Sequence, residues 1–368
     1  MAAGPPLAAL DAASLAIPFT TRFAHASAAR DETAAIVVTV RGADGVVGVG
    51  EGCPRPYVTG ETVDSALAFV AAHRSSLLAV TSLGALRAWM AAHAEAIDRH
   101  PAAFCAVELA LLDLIGRTAG RPLETLLDLP LLSGVFQYSA VLGDMAPEAF
   151  GRLAARYDSM GFRDFKVKLS GDLTRDRARL ATLPPIDASR RLRVDANNLW
   201  PDVETAVRYL RALDAPLFAV EEPLAPAGRL DELAELADAL ALPVVVDESV
   251  ATVAAVADLT ATAARWLINL RVSKMGGVLR ALDVVDTARG AGLGIIVGAQ
   301  VGETSRLTRA GLAVAHAAGE LLVAQEGAFG TLLLTRDVCE PPLMFGAGGR
   351  LDVAAHPRLL AAGLGIEP

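Results

Sequence analysis

Short apolar runs that end in a charged residue dominate the middle of the chain: Phe165-Lys166-Val167-Lys168, Leu192-Arg193-Val194-Asp195, Leu217-Phe218-Ala219-Val220-Glu221 and Val244-Val245-Val246-Asp247. Stretches with apolar residues at helical spacing separate them, such as Val203–Leu213 and Leu230–Leu240. This alternation predicts βα units and a parallel sheet. Eight candidate strands would close a barrel, and an open doubly wound sheet is the alternative. The candidate strands are Val135–Ala140, Phe165–Leu169, Leu192–Asp195, Leu217–Glu221, Val244–Asp247, Trp266–Leu270, Gly294–Gly298 and Leu321–Ala324.

Polar residues near the ends of these strands recur at a nearly constant step of 25 to 27 residues. Each therefore falls at an equivalent point of its βα unit, near the carboxyl end of the strand. In a barrel those ends surround a single mouth, where active sites are built. The polar residues are Lys168, Asp195, Glu221, Asp247, Lys274, Gln300 and Gln325.

The first 130 residues follow a different pattern. Strand-like runs at Thr33–Arg41 and Gly45–Gly50 flank a short turn and predict a β-hairpin. Strands followed by helices predict an α+β module that ends near residue 130. The predicted helices lie near Thr62–Arg74, Leu83–Asp98 and Pro101–Thr118. Three nearby glycines lack a nucleotide-binding context and are interpreted as loop positions that let this module approach the barrel: Gly48, Gly50 and Gly52.

Composition and charge limit the classes of function. Hydrophobic residues make up 53% of the 368 residues and the formal net charge is −9, so we expect an ordered chain that binds no nucleic acid. Acidic residues interrupt the apolar runs, which predicts no membrane span, and the N-terminus lacks the pattern of a secretory signal. The three scattered cysteines fit a reducing compartment, and a cytoplasmic location is expected.

Three consecutive strand-end residues are carboxylates: Asp195, Glu221 and Asp247. Carboxylates that converge without a cation repel each other, and oxygen ligands suit a hard divalent ion, so this pattern predicts a Mg²⁺ site. Zinc is disfavoured because none of the six histidines falls on a strand end. Glu222 follows Glu221 and is expected to pair with an arginine.

Lysines are predicted on both sides of these carboxylates. Lys166 and Lys168 project from the same face of one strand, and Lys274 is expected across the barrel. The like charge of Lys166 and a nearby metal would lower the pKa of Lys168, so that Lys168 could act as a base. Removal of the α-proton of a carboxylate produces an enediolate, whose charge Mg²⁺ would stabilise. Simple ion pairs between these lysines and the acids are the structural alternative.

These motifs resemble the enolase superfamily, specifically its muconate lactonizing enzyme-like subgroup within the mandelate racemase/muconate lactonizing enzyme family. The resemblance implies a modified TIM barrel, (β/α)7β, over residues 131–334. It implies an N-terminal α+β capping domain over residues 1–130, which residues 335–368 complete, and a homo-oligomer. The implied Mg²⁺ ligands are Asp195, Glu221 and Asp247, and the implied acid/base pair is Lys168 and Lys274, with Lys166 tuning Lys168. The motifs are Lys166-Val167-Lys168, Asp195-Ala196-Asn197, Glu221-Glu222-Pro223, Asp247-Glu248-Ser249 and Lys274-Met275-Gly276-Gly277.

The resemblance implies a small carboxylate substrate without naming it. Dipeptide-epimerising members carry Asp-x-Asp on the eighth strand, whereas this chain has Ala324-Gln325-Glu326-Gly327 there. A mandelate racemase-like member would carry a histidine near the seventh strand, which this chain lacks. Loops near Phe19–His25 and Gly50–Glu61 resemble the two specificity loops, in which Arg22 and Arg55 could contact substrate. The main substrate-binding candidates are Asn197, Tyr57, Gln300 and Glu326.

We therefore predict a Mg²⁺-dependent racemase or epimerase that works by 1,1-proton transfer between Lys168 and Lys274. Cycloisomerisation of a muconate-like diacid and β-elimination of the o-succinylbenzoate synthase type keep the enediolate and are the nearest alternatives. A non-catalytic binding protein on the same scaffold is the alternative from another class.

Overall fold

The computed structural model describes the backbone of residues 6–25 and 28–367, and the side chains of those residues outside 22–29. Its first part contains five strands. The predicted hairpin is confirmed as β4 and β5, which form an antiparallel sheet together with β1, while β2 and β3 form a separate hairpin. In chain order the strands are β1 (Leu7–Leu15), β2 (Pro18–His25), β3 (Ala28–Glu32), β4 (Ala35–Gly42) and β5 (Val47–Gly52).

Five helices follow these strands: α1 (Val63–Leu77), α2 (Leu83–Ala92), α3 (Ala94–Arg99), α4 (Pro101–Ala119) and α5 (Leu123–Leu126). The prediction of one helix over Leu83–Asp98 is wrong, because His93 adopts a non-helical backbone (φ −123°) between α2 and α3. Helix α4 starts with Pro101, and the left-handed Gly120 (φ 64°) caps its end. Most of α4 is buried, since it contacts both the sheet and the barrel.

The glycines of β5 allow α4 to lie directly against the strand. A Cβ at Gly48, Gly50 or Gly52 would lie only 2.2, 2.0 or 1.9 Å from the carbonyl oxygen of Ala110, Ala106 or Ala102, respectively. Alternate residues of a strand share a face, and helical residues four apart share a face, so the two elements are in register. The interpretation of these glycines as loop positions between the cap and the barrel is therefore wrong.

The predicted first barrel strand, Val135–Ala140, is also wrong. Strand β6 (Val135–Gln137) pairs antiparallel with a C-terminal segment (Arg350–Asp352), and the barrel begins only at β7 (Ala140–Leu142). The chain changes partners between these strands, because the N–H of Tyr138 donates to Gly349 and that of Ser139 donates to Gln325.

Eight parallel strands then follow one another around the sheet in chain order. Strand β7 pairs with β8 (Asp164–Lys168), followed by β9 (Arg191–Asp195), β10 (Leu217–Glu221), β11 (Val244–Val246), β12 (Trp266–Arg271), β13 (Gly294–Gly298) and β14 (Leu322–Gln325). The bond from Ser139 to Gln325 links the first strand region to the eighth. The modified TIM barrel with an N-terminal α+β domain is confirmed.

Helical crossovers connect the eight strands. They are α6 (Pro147–Ser159), α7 (Leu173–Leu180), α8 (Val203–Ala212), α9 (Leu230–Leu240), the 3₁₀ segment Ala254–Arg265, α10 (Val272–Met275) with α11 (Val278–Ala291), and α12 (Ser305–Ala318). No helix within residues 6–25 and 28–367 has the length and apolar character that crossing a bilayer requires.

The C-terminal segment, which includes β15 (Arg350–Asp352), packs on both parts of the chain. The N–H of Leu364 donates to Asp113 of α4, and Arg309 of α12 donates to the carbonyl of Leu364. Arg309 also forms a fully buried bidentate ion pair with Glu124 of α5, with both N–O distances at 2.7 Å.

Candidate active site

Three carboxylates lie side by side at the mouth of the barrel. Asp195 and Glu221 are the last residues of β9 and β10, and Asp247 directly follows β11. All three are buried, at no more than 1% exposure. Because the three strands are neighbours, these side chains share one sector of the mouth.

Lys166 holds this sector together. Its Nζ lies 3.1 Å from Asp195 Oδ2, 2.8 Å from each oxygen of Glu221 and 3.1 Å from Glu326 Oε1. Burial disfavours the ammonium charge, but the three carboxylates outweigh it and raise the pKa of Lys166. Lys166 is therefore a buried, permanently charged ion-pair partner.

Lys168 is the last residue of β8 and lines the cleft at the mouth. Its Nζ donates to Asp195 Oδ2 at 2.8 Å and to Asn197 Oδ1 at 2.9 Å. Asn197 adopts a left-handed backbone (φ 47°), and its N–H donates to Asp195 Oδ1. Asn197 thus orients both Lys168 and Asp195.

The cleft has a volume of about 630 Å³, including the part open to solvent. All four residues predicted to bind substrate line it: Tyr57, Asn197, Gln300 and Glu326. Its apolar lining consists of Val141, Ala299, Val301 and Phe329.

Lys274 does not reach this cleft in the structure. It lies in α10, three residues beyond the end of β12, and is fully buried. Its Nζ donates to the backbone carbonyls of Asp247 (2.8 Å), Asn269 (2.9 Å) and Val250 (3.1 Å), and to Asp247 Oδ1 (2.9 Å). Lys274 thus follows β12, on the side of the barrel opposite β8 as expected, but the chain turns into α10 before that residue and its buried amine does not line the cleft.

Arg271 occupies the position at the mouth that was expected for a lysine. It is the last residue of β12 and lines the cleft. Its guanidinium forms an ion pair with Asp247 and donates to Gln300 Oε1 at 3.1 Å. Arg271 was not predicted as a site residue. Alternation along β12 accounts for its position, since Asn269, two residues earlier, donates to Glu221 and shares its face of the strand.

Glu326 is engaged by the protein's own cations. Arg193 Nη2 lies 2.6 Å from Glu326 Oε1, and Lys166 contacts the same oxygen. Burial raises the pKa of Glu326, but Lys166 and Arg193 outweigh it and lower it to about 2. Glu326 is therefore an ionised carboxylate with two protein partners, not a free acceptor for a substrate ammonium.

Some polar atoms of the cleft are left without hydrogen-bond partners. Within the part of the chain that the structure describes, these include Gln300 Nε2, Glu248 Oε2 and Arg271 Nε. Unpaired buried polar atoms are costly, so these atoms mark places where a bound ligand would be stabilised. Glu248 was not predicted as a site residue.

Two other expectations are corrected. Glu222 contacts the backbone instead of an arginine: it accepts from the N–H groups of Asp247 and Ser249, and so fixes the loop that carries Asp247. Arg55 is fully buried and donates to four carbonyls, among them Val301 at 2.6 Å, so it joins the Tyr57 loop to the barrel. The side chain of Arg22 lies outside the described residues.

The carboxylate set fits a hard divalent cation. Asp195, Glu221 and Asp247 offer only oxygen ligands from adjacent strand ends. Burial, together with neighbouring acids, raises the pKa of Glu221 to about 7 despite Lys166, so a cation bound at this carboxyl group would favour its ionised form. Among residues 6–25 and 28–367, no three His, Cys, Asp or Glu side chains are arranged around one point as ligands. Lys166 and Arg271 instead lie between the carboxylates.

Comparison with known proteins agrees with this architecture. Residues 11–128 match the family described as mandelate racemase/muconate lactonizing enzyme, N-terminal domain, and residues 149–368 match enolase C-terminal domain-like. An L-Lys-D/L-Arg epimerase of Methylococcus capsulatus is 31% identical over 349 residues, which cover 93% of this chain and 95% of that protein. A chloromuconate cycloisomerase of Cupriavidus pinatubonensis is 28% identical over 357 residues, with 90% and 92% coverage.

A solved structure shows the same similarity. The dipeptide epimerase from Methylococcus capsulatus, complexed with Mg and the dipeptide L-Arg-D-Lys, matches with a TM-score of 0.85 and 29% identity over 99% of this chain and 100% of that chain. Fold and mouth together define an enolase-superfamily barrel enzyme. The chain belongs to the mandelate racemase/muconate lactonizing enzyme family, in its muconate lactonizing enzyme-like subgroup. The predicted assignment to the isomerases of this superfamily is confirmed.

Proposed function

We propose that the chain is a Mg²⁺-dependent isomerase that removes the α-proton of a small carboxylate substrate and forms an enediolate. The observation that carries this proposal is the position of Lys168 in the cleft, beside three carboxylates on adjacent strand ends. A lysine close to a sector that could hold a cation is an arrangement that supports α-proton removal.

Each group of residues at the mouth has its own role in the proposed reaction. Asp195, Glu221 and Asp247 would hold Mg²⁺, which would stabilise the negative charge that develops on the substrate carboxylate. Lys168 accepts the α-proton, and Asn197 keeps its amine in place through the 2.9 Å bond to Oδ1. Lys166 stays charged and keeps Asp195 and Glu221 from moving apart.

Two outcomes follow from the same enediolate. Racemisation or epimerisation, the activity named for several relatives, would in its two-lysine form need Lys274 to reach the substrate. Cycloisomerisation of a diacid, named for another relative, needs a single lysine that moves the α-proton. The presence of Arg271 opposite Lys168 favours this second outcome.

The state of Glu326 supports a substrate without a free ammonium group near the eighth strand. Its carboxylate is already paired with Lys166 and Arg193, and the adjacent lining includes Phe329 and Ala299. N-acylamino acids and small diacids fit this environment better than dipeptides with a free amine.

Proton exchange in D₂O tests the function. The protein with Mg²⁺ is incubated with N-acylamino acids, dipeptides and diacids, and the α-proton signal is followed by NMR. We expect deuterium at the α-carbon of at least one compound. The exchange should disappear with EDTA and in K168M, and it should persist in R208M, which changes an exposed side chain of α8.

Two results would contradict the proposal. One is the absence of exchange with every compound although Mg²⁺ binds, which is also the result expected of a non-catalytic binding protein. The other is wild-type exchange in K168M, which would remove Lys168 from the mechanism.

A further inference from the structure

The order of strands places two basic residues on opposite sides of the mouth. Lys168 ends β8 and Arg271 ends β12, and these strands are four positions apart in a sheet of eight. The three strands between them carry the carboxylates Asp195, Glu221 and Asp247. A substrate bound beside these carboxylates would therefore lie between Lys168 and Arg271.

Lys274 cannot replace Arg271 without breaking its own contacts. Its ammonium has three protons, and three backbone carbonyls and one carboxylate oxygen already accept from it. These carbonyls belong to Asn269 within β12 and to Asp247 and Val250 in the loop after β11, so this arrangement supports the barrel itself. Withdrawing a buried, fully bonded ammonium would leave the carbonyls unsatisfied.

We propose that Arg271, and not Lys274, faces the substrate opposite Lys168, so that proton transfer at the α-carbon occurs from one face only. The inference rests on the proposed function. The Cα–H bond breaks, its electron pair enters the enediolate, and the proton passes to the amine of Lys168. After exchange with solvent, Lys168 returns a proton to the same carbon from the same face. The substrate thus exchanges its α-proton without inverting its configuration.

The chemistry of the Lys168 and Arg271 side chains explains why only one face of the substrate would exchange protons. A guanidinium remains protonated in proteins and donates from a planar fork, so it binds carboxylate and enediolate oxygens well but does not cycle a proton. Arg271 is held for that role by Asp247 and by Gln300 Oε1. Glu248 also lines the cleft, and its Oε2 has no hydrogen-bond partner. Inversion in the wild type would make Glu248 the candidate for a second proton carrier.

The placement of Lys274 can be tested without any activity. Of the 33 basic residues in the chain only three are lysines: Lys166, Lys168 and Lys274. Reductive methylation with formaldehyde and cyanoborohydride, mapped by peptide mass spectrometry, reports the accessibility of each amine. We expect Lys168 to react more than tenfold faster than Lys274 in the native protein, and all three to react alike in urea. Reaction of native Lys274 as fast as Lys168 would overturn the proposal.

The stereochemical course of the α-proton exchange tests whether proton transfer occurs from one face only. A single enantiomer that shows exchange is incubated in D₂O, and configuration is followed by chiral chromatography alongside deuterium content. We expect fewer than one inversion per hundred exchange events in the wild type. In R271K, whose amine can cycle a proton, the ratio should rise at least tenfold, whereas R271M should keep the low ratio.

The two proposals fail in different ways. Inversion at a rate comparable to exchange in the wild type would overturn one-sided transfer and leave the proposed function intact. The absence of exchange with any acid would count against the proposed function, while the methylation ratio still decides which basic residue faces the cleft.

Discussion

The contact between β5 and α4 makes the stability of the fold sensitive to one methyl group. In Gly50→Ala the new Cβ would lie 2.0 Å from the carbonyl oxygen of Ala106 and 2.5 Å from the backbone nitrogen of Ala110. Neither atom can rotate away, because both belong to the backbone of a buried helix. The strand and the helix must therefore separate by about 1 Å to restore an ordinary contact.

The loss in unfolding free energy follows from the rigidity of β5 and α4. Overpacking a core costs about 1–3 kcal/mol, and a clash with backbone belongs at the upper end, so we expect a loss of about 3 kcal/mol. An unfolding entropy of about 2.1 cal/mol/K per residue, applied to the whole chain, converts this loss to a fall of about 4 °C in Tm.

Urea and thermal unfolding followed by circular dichroism measure both quantities. Gly290→Ala is the matched control, because Gly290 lies within α11 and a Cβ there would meet nothing within 4 Å. That substitution should stabilise the protein by about 0.5–1 kcal/mol, since alanine favours a helix. A fall of less than 1 kcal/mol in the unfolding free energy of G50A, or an equal fall in G290A, would contradict a backbone clash between β5 and α4.

Three further predictions concern buried charges. In E124A the Arg309 charge loses its partner, and a loss of about 3–5 kcal/mol in unfolding free energy is expected, with partial recovery in E124A/R309M. Burial raises the pKa of Glu108 to about 8 although Val278 and Leu279 donate to it. The contribution of Glu108 to the unfolding free energy is therefore complete below about pH 4.5 and is lost as the pH rises to about 8. E108Q should flatten the dependence of the unfolding free energy on pH in this range. In R55K the Tyr57 loop loses carbonyl contacts, and KM for exchange should rise about tenfold with kcat nearly unchanged, a cost of about 1.4 kcal/mol; a changed kcat at constant KM would contradict this.

Most of the barrel could be predicted because buried parallel strands consist of continuous apolar runs. Strands β8 to β14 all overlap their predicted positions. The first strand could not be placed, since Val135–Gln137 is as apolar as a barrel strand but finds its partner more than 200 residues later, in Arg350–Asp352. The break at His93 escaped prediction for a related reason: apolar spacing continues across it, while a local backbone change ends α2.

The carboxylates of the site could be predicted because each of them ends its strand or directly follows it. The partners of these carboxylates could not be predicted from spacing. Glu326 binds Arg193 across the barrel interior, and Glu222 binds backbone N–H groups of the next strand's loop. Both contacts depend on how neighbouring strands pair, and a repeat of 26 residues carries no information about side-chain direction.

Lys274 shows why an even spacing alone misleads. Spacing counts residues, whereas the mouth is lined by the residues at which strands end. Between Asp247 and Lys274 the chain passes through a 3₁₀ segment and β12, and it then turns into α10 before Lys274 is reached. Side-chain alternation is the more reliable guide here: Asn269 binds Glu221, so Arg271, two residues further along the same strand, must face the same interior. Because lysine can cycle a proton and arginine cannot, a shift of three residues changes the predicted stereochemistry of the reaction.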